Sequence, residues 1–305
     1  MTAQNSAIRP APIAVGGTAL AALAILAFSL SFPATVWALA GFGPWSVTGL
    51  RGLLAALFAG AALLAVRAPL PARGDRLGLV VVAVGCVLGF PLLTTLALQT
   101  SSTAHSAVVI GLLPMATTVC SVLRTGERPS RTFWAAALAG AAVVLGFALT
   151  RGSGGIGLAD GYLFAALVLC AAGYAEGGRL AGHLPGWRVI AWGVVAAAPI
   201  TAATAAAGLA TEPVHLDGHG VAGVLYLAAV SQFLGFVVLY RGMARIGVPA
   251  ASQLQLAQPL LTLLWAVLIL NESLTPSMPV TAVAVLACIV LTQRTRSTPP
   301  GTSNG

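Results

Sequence analysis

The chain has 305 residues, of which 58% are hydrophobic and only 7% charged, and its mean hydropathy is +0.95. An ordinary soluble domain carries roughly 25% charged residues, so a surface covered by water is excluded and lipid must coat most of the outside. The formal charge of +8 does not mark a nucleic-acid partner: lysine is absent, and the arginines fall mostly in short gaps between apolar runs, as a topology signal does.

Ten apolar segments approach the roughly 20 residues that a helix needs to cross hydrocarbon. In chain order they are 14–36, 44–66, 77–97, 103–123, 133–150, 160–180, 187–208, 220–241, 248–270 and 277–293. An all-α integral membrane protein is predicted, because isolated strands would leave backbone groups unpaired in lipid. Ala38-Leu39-Ala40 resembles a signal-peptide cleavage site. The apolar run before it is longer than a usual signal core, and its removal would leave an odd helix count. A retained span with Pro33 bending its end is the better reading.

Orientation follows from the arginines. With residues 1–13 as a cytoplasmic tail, inside segments hold Arg9, then Arg67, Arg73 and Arg76, then Arg124, Arg128 and Arg131. They also hold Arg179 and Arg188, Arg241 and Arg245, and Arg294 and Arg296. Outside connections hold only Arg151, and Arg51 lies within the second segment. Both termini are expected in the cytoplasm, with residues 294–305 a disordered tail. The cysteines Cys86, Cys120, Cys170 and Cys288 lie in apolar segments at unrelated spacings. They imply neither a disulfide framework nor a metal site, and no cofactor is expected.

Two stretches share one design: GLLPMATTVCSVLRTGERPS at 111–130 and LAQPLLTLLWAVLILNESLT at 256–275. Pro114/Pro259, Thr117/Thr262, Val122/Val267, Leu123/Leu268 and Glu127/Glu272 are identical at a constant offset of 145 residues. That offset equals five of the ten segments, so the chain reads as two repeats, 14–150 and 156–293. An odd number of helices per repeat inverts the second copy. Arginines surround Glu127 and are missing around Glu272, as inversion requires. Inverted halves suit alternating access about a central site.

These residues resemble the end-of-repeat signature of EamA-type carriers in the drug/metabolite transporter superfamily: a mid-helix proline, an apolar run, then glycine or asparagine before glutamate. Gly126-Glu127 and Asn271-Glu272 both match. The resemblance implies ten helices in two inverted five-helix repeats, a central cavity, and export of small metabolites, amino acids or toxic compounds. Leu113 stands where the second half has Gln258, so the lining is expected to be unequal between the halves.

Polar residues inside spans mark candidate sites, because burying them in lipid is costly without a cavity or partner. Glu176 could bind a cationic group or carry a coupling proton, or it could pair with Arg179 one turn away. Arg51 could hold an anionic group, or reach to headgroups or to another helix's carbonyls. Gln253, Gln255 and Gln258 beside Pro259 suggest a cavity wall, while Gln232 could serve there or bond between helices. His105 could titrate or contact solute, or simply be solvated. Tyr174 could stack on a substrate ring. Gly85 and Gly89 form a small-xxx-small pattern for close helix approach, and Pro91 is expected to bend its helix. Trp37 and Trp45 read as an interfacial belt.

A secondary carrier exporting a small organic metabolite, amino acid or drug by alternating access is the function expected, in the bacterial inner membrane, as monomer or homodimer. No GxxxxGK loop is present for direct use of ATP, and proton or sodium coupling stays open. An importer or facilitative channel on the same fold is the alternative. A membrane-embedded enzyme is disfavoured, because no catalytic constellation is assembled.

Overall fold

The structure is a computed structural model that describes residues 12–125, 130–150, 157–246 and 254–296. Among the described residues, seven helices are long and apolar enough to cross a membrane: α1 Gly16–Gly41, α2 Pro44–Ala65, α3 Arg73–Ala97, α4 Thr103–Arg124, α6 Leu158–Ala181, α7 Gly186–Thr211 and α8 Gly218–Gly242. Three shorter apolar helices are described as well: α5 Arg131–Phe147, α9 Ala257–Leu268 and α10 Ser277–Leu291. Among the described residues there is no strand, only an isolated bridge between Phe42 and Val214. Leu57, Leu64, Leu77, Leu123 and Leu138 are largely exposed, a surface that suits lipid rather than water.

Helix contacts pair the first half of the chain with the second. α2 lies along α7, α5 along α10 and α4 against α9, each pairing a helix with its equivalent five places on. The contact of α1 with α8 is mirrored by that of α3 with α6. α2 and α7 run antiparallel: Ser46 lies against Gly208, Gly49 against Ala205 and Gly52 against Thr201. A Cβ at Gly49 would collide with the Ala205 backbone, so glycine sets how closely these two helices approach.

Prolines interrupt the helices where polar contacts are then made. α1 breaks at Leu30 rather than at its far end. Pro33 has no N–H to offer the carbonyl four residues earlier, that of Ser29, and the Thr262 hydroxyl takes it at 3.0 Å. Ala38, inside the cleavage-like triplet, is fully buried against Gly223. Pro91 follows a π-helical stretch, Ala83–Gly89, within α3, and α8 carries a second one, Tyr226–Leu234. Their last residues lie 145 positions apart, so both repeats widen the same helix at the same place. Such stretches leave the regular hydrogen-bond ladder and cluster at functional sites.

The residue before the second signature glutamate also has a physical reason. Asn271 takes φ 53°, a left-handed conformation that glycine and asparagine adopt most readily. The chain reverses there, and the Glu272 amide returns to the Ala266 carbonyl at 2.9 Å. Gly126 and Glu127, the matching pair, lie outside the described residues.

Candidate functional site

A cavity of about 820 Å³ runs through the middle of the helix bundle. Ser31, Arg51, Tyr174, Gln232, Gln255 and Gln258 line it, drawn from both halves of the chain. Pro114 and Pro259, the two signature prolines, face it as well. It extends to Arg124 and Arg179, whose side chains are 62% and 41% exposed, so this arginine-bearing end is the mouth.

The buried cation of the cavity is Arg51, which is 6% exposed. Its side chain turns into the bundle and does not reach for headgroups. Nε donates to Gln232 Oε1 at 2.8 Å and Nη2 to Ser231 Oγ at 3.1 Å. Gln232 donates on to the Cys86 carbonyl at 3.3 Å, so the π-helical stretches of α3 and α8 meet around the guanidinium. Ser231 shares a 2.7 Å hydrogen bond with Ser31. These partners are neutral, and burying a cation without a counter-charge is unfavourable.

Glu176 sits at the mouth in an ion pair. Arg179 Nη2 lies 2.6 Å from Oε1, and Arg124 Nε lies 3.3 Å from Oε2. The i,i+3 partner expected from the sequence is present, and Arg124 of α4 adds a tie from the first half to the second. The carboxylate is 9% exposed and its partners are open to solvent, so screening weakens the pair.

At the opposite end, carboxylates on helix starts tie the two halves together. Glu272 accepts the amides of Thr103 and Ala104 at 2.8 and 3.0 Å. Glu212 accepts those of Trp45 and Ser46 at 3.1 and 2.8 Å. In both cases second-half acids satisfy the orphan amides of first-half helices and complement their dipoles. His105 Nε2 lies 2.7 Å from Asp160 Oδ1, and its ring stacks on Phe147 at 5.1 Å.

The structure therefore brings Arg51, Tyr174, Gln232, Gln255 and Gln258 to one cavity. His105 stands apart from it, paired and 8% exposed rather than solvated. Glu176 contacts lining arginines instead of lining the cavity itself. Gln253 falls outside the described residues. Sequence reasoning missed Ser31, Ser231 and Asp160, and treated Arg124 only as a topology signal. A small hydroxyl in an apolar helix carries little signal of its own.

The model of the EamA-like transporter family matches residues 15–149 and 157–294. The chain belongs to the EamA-like transporter family. Its two matched stretches coincide with the two halves that pack as equivalents. This EamA-like protein is 43% identical over 275 residues to the uncharacterized transporter YdeK of Bacillus subtilis (strain 168), covering 89% of this chain and 95% of that one. A shorter likeness, 35% over 77 residues, links it to the uncharacterized protein PA1977 of Pseudomonas aeruginosa, covering 25% of this chain and 27% of that one. A solved protein crystal structure superposes with a TM-score of 0.61 over 91% of this chain and 96% of its own, at 21% identity, and so supports the fold. The EamA-like chain is a multi-pass membrane transporter.

Proposed function

We propose that this membrane transporter is a secondary carrier that exports a small organic metabolite, amino acid or drug by alternating access. The observation that carries the reading is the cavity: wide at the arginine-bearing end and closed beyond Arg51 by polar contacts between the halves. A channel would need a path through both ends, and a carrier needs one end closed at a time.

The reading takes the seven long and three shorter apolar helices as ten spans in two inverted repeats, 14–150 and 156–293. Antiparallel packing of α2 on α7 supports inversion. An asymmetry between equivalent threonines supports alternation. Thr262 bonds across to α1, whereas the Thr117 hydroxyl has no partner among the described residues. Two similar halves held in different arrangements are what alternation requires. The arginine-bearing end is assigned to the cytoplasm by charge bias, both termini with it, in a bacterial inner membrane.

The test compares small molecules inside and outside cells that lack or overproduce the protein. Outward accumulation of one solute only with the intact protein supports export. Disappearance of a solute from the medium instead would make it an uptake carrier.

A further inference from the structure

The geometry points to a net-negative organic solute, bound through a carboxylate on Arg51, with its apolar body against the aromatic wall; this rests on the carrier reading above. Three observations converge on that chemistry. First, Arg51 is a buried cation whose bonded partners, Gln232 and Ser231, orient it without neutralising it. Every described carboxylate is engaged elsewhere: Asp75 with His183, Asp160 with His105, and Glu176 with Arg124 and Arg179. Glu212, Asp217 and Glu272 cap backbone amides. No counter-ion within the described residues reaches Arg51.

Second, among the described residues no aspartate or glutamate lines the cavity, while Arg51, Arg124 and Arg179 do. Glu176 supplies one negative charge against the two arginines at the mouth. The charged side chains of the lining itself are all arginines, which favours anions over amines. Third, the guanidinium presents five donors in a planar fork that matches a carboxylate. Gln232 and Ser231 hold two of those donors, which fixes the plane and leaves others for a solute.

The rest of the solute meets rings. Phe28 and Phe236 lie 4.9 Å apart, and Tyr174 and Tyr240 stand 6.1 and 6.3 Å from Phe236. All four line the cavity. An anionic head and an apolar body therefore find separate places in one site.

The test uses purified full-length protein and three probes of one shape: 3-phenylpropanoate, its neutral amide and 3-phenylpropylamine. Binding is measured by calorimetry, and uptake is measured in liposomes. The carboxylate should bind at least about thirtyfold more tightly than the amide, as a buried charge pair does. Arg51→Gln should abolish that preference, and Arg51→Lys should retain part of it. Equal binding of the three probes, preference for the amine, or no binding of the carboxylate at millimolar concentration overturns the inference. So does a preference unchanged in Arg51→Gln. Should Arg51→Gln fail to fold, the comparison of probes on the natural protein decides alone. Selective carboxylate binding without uptake would uphold the anion site and sink the carrier reading. Uptake of the amide or amine but not the carboxylate would do the reverse.

Discussion

Glu272 accepts the backbone amide of Thr103 at 2.8 Å, so the signature glutamate of the second half closes on the first turn of α4 in the first half. The neighbouring Asn271, at φ 53°, aims it there. Glu272→Ala should lower stability by about 1.5–3 kcal/mol, the range for hydrogen bonds to a charged group. Asn271→Ala should cost about 1 kcal/mol for the left-handed backbone, and Asn271→Gly much less. Thermal unfolding in one detergent, with all three variants side by side, checks the order. Equal losses for Asn271→Ala and Asn271→Gly would mean that the side chain, not the backbone angle, matters.

Gln232 and Gln255 both line the cavity but differ in their surroundings. Gln232 is 1% exposed and holds Arg51, so Gln232→Leu strands part of a buried cation. A loss of about 1–3 kcal/mol is expected. Gln255→Leu, on a half-buried wall position, should stay within about 0.5 kcal/mol. Similar melting shifts for the two would contradict the hydrogen-bond network described around Arg51.

His105 is expected to act through Asp160 rather than through solute. His105→Ala removes the partner of a buried carboxylate and the ring stacked on Phe147. Stability should fall by about 2–4 kcal/mol, while solute affinity of the remaining folded protein stays unchanged. Weakened affinity with unchanged stability would return His105 to the binding site.

The tie between Glu176 and Arg124 crosses between the halves at a solvated mouth. A double-mutant cycle with Glu176→Gln and Arg124→Gln should give a coupling of no more than about 1 kcal/mol, because exposed partners are screened. A much larger coupling energy would show that the mouth is drier than the exposure of Arg124 implies.

These contacts differ in how far a sequence can announce them. The ten apolar segments and the repeated Pro–Glu signature are local patterns with fixed spacing, and the offset between copies is itself a second signal. Glu176 with Arg179 was legible for the same reason, since residues three apart share a helix face. Arg51 with Gln232 was not: they are 181 positions apart and meet only because α2 packs against the π-helical stretch of α8. The composition of that stretch does not separate it from ordinary apolar helix. His105 and Asp160, 55 positions apart, each look like an isolated polar residue at a helix start until α4 and α6 pack together. The break of α1 was read from Pro33 but placed too late, because proline disturbs the hydrogen bond of the residue four positions before it.

Alternating access through the cavity is tested most directly at Thr117, which lines it on α4. In a protein cleared of its native cysteines, Thr117→Cys would be exposed to a membrane-impermeant thiol reagent from each face of sealed vesicles. The account predicts labelling from both faces while the vesicles stay tight to the reagent. Labelling from the arginine-bearing face alone, or a steady leak of reagent through the protein, would contradict it.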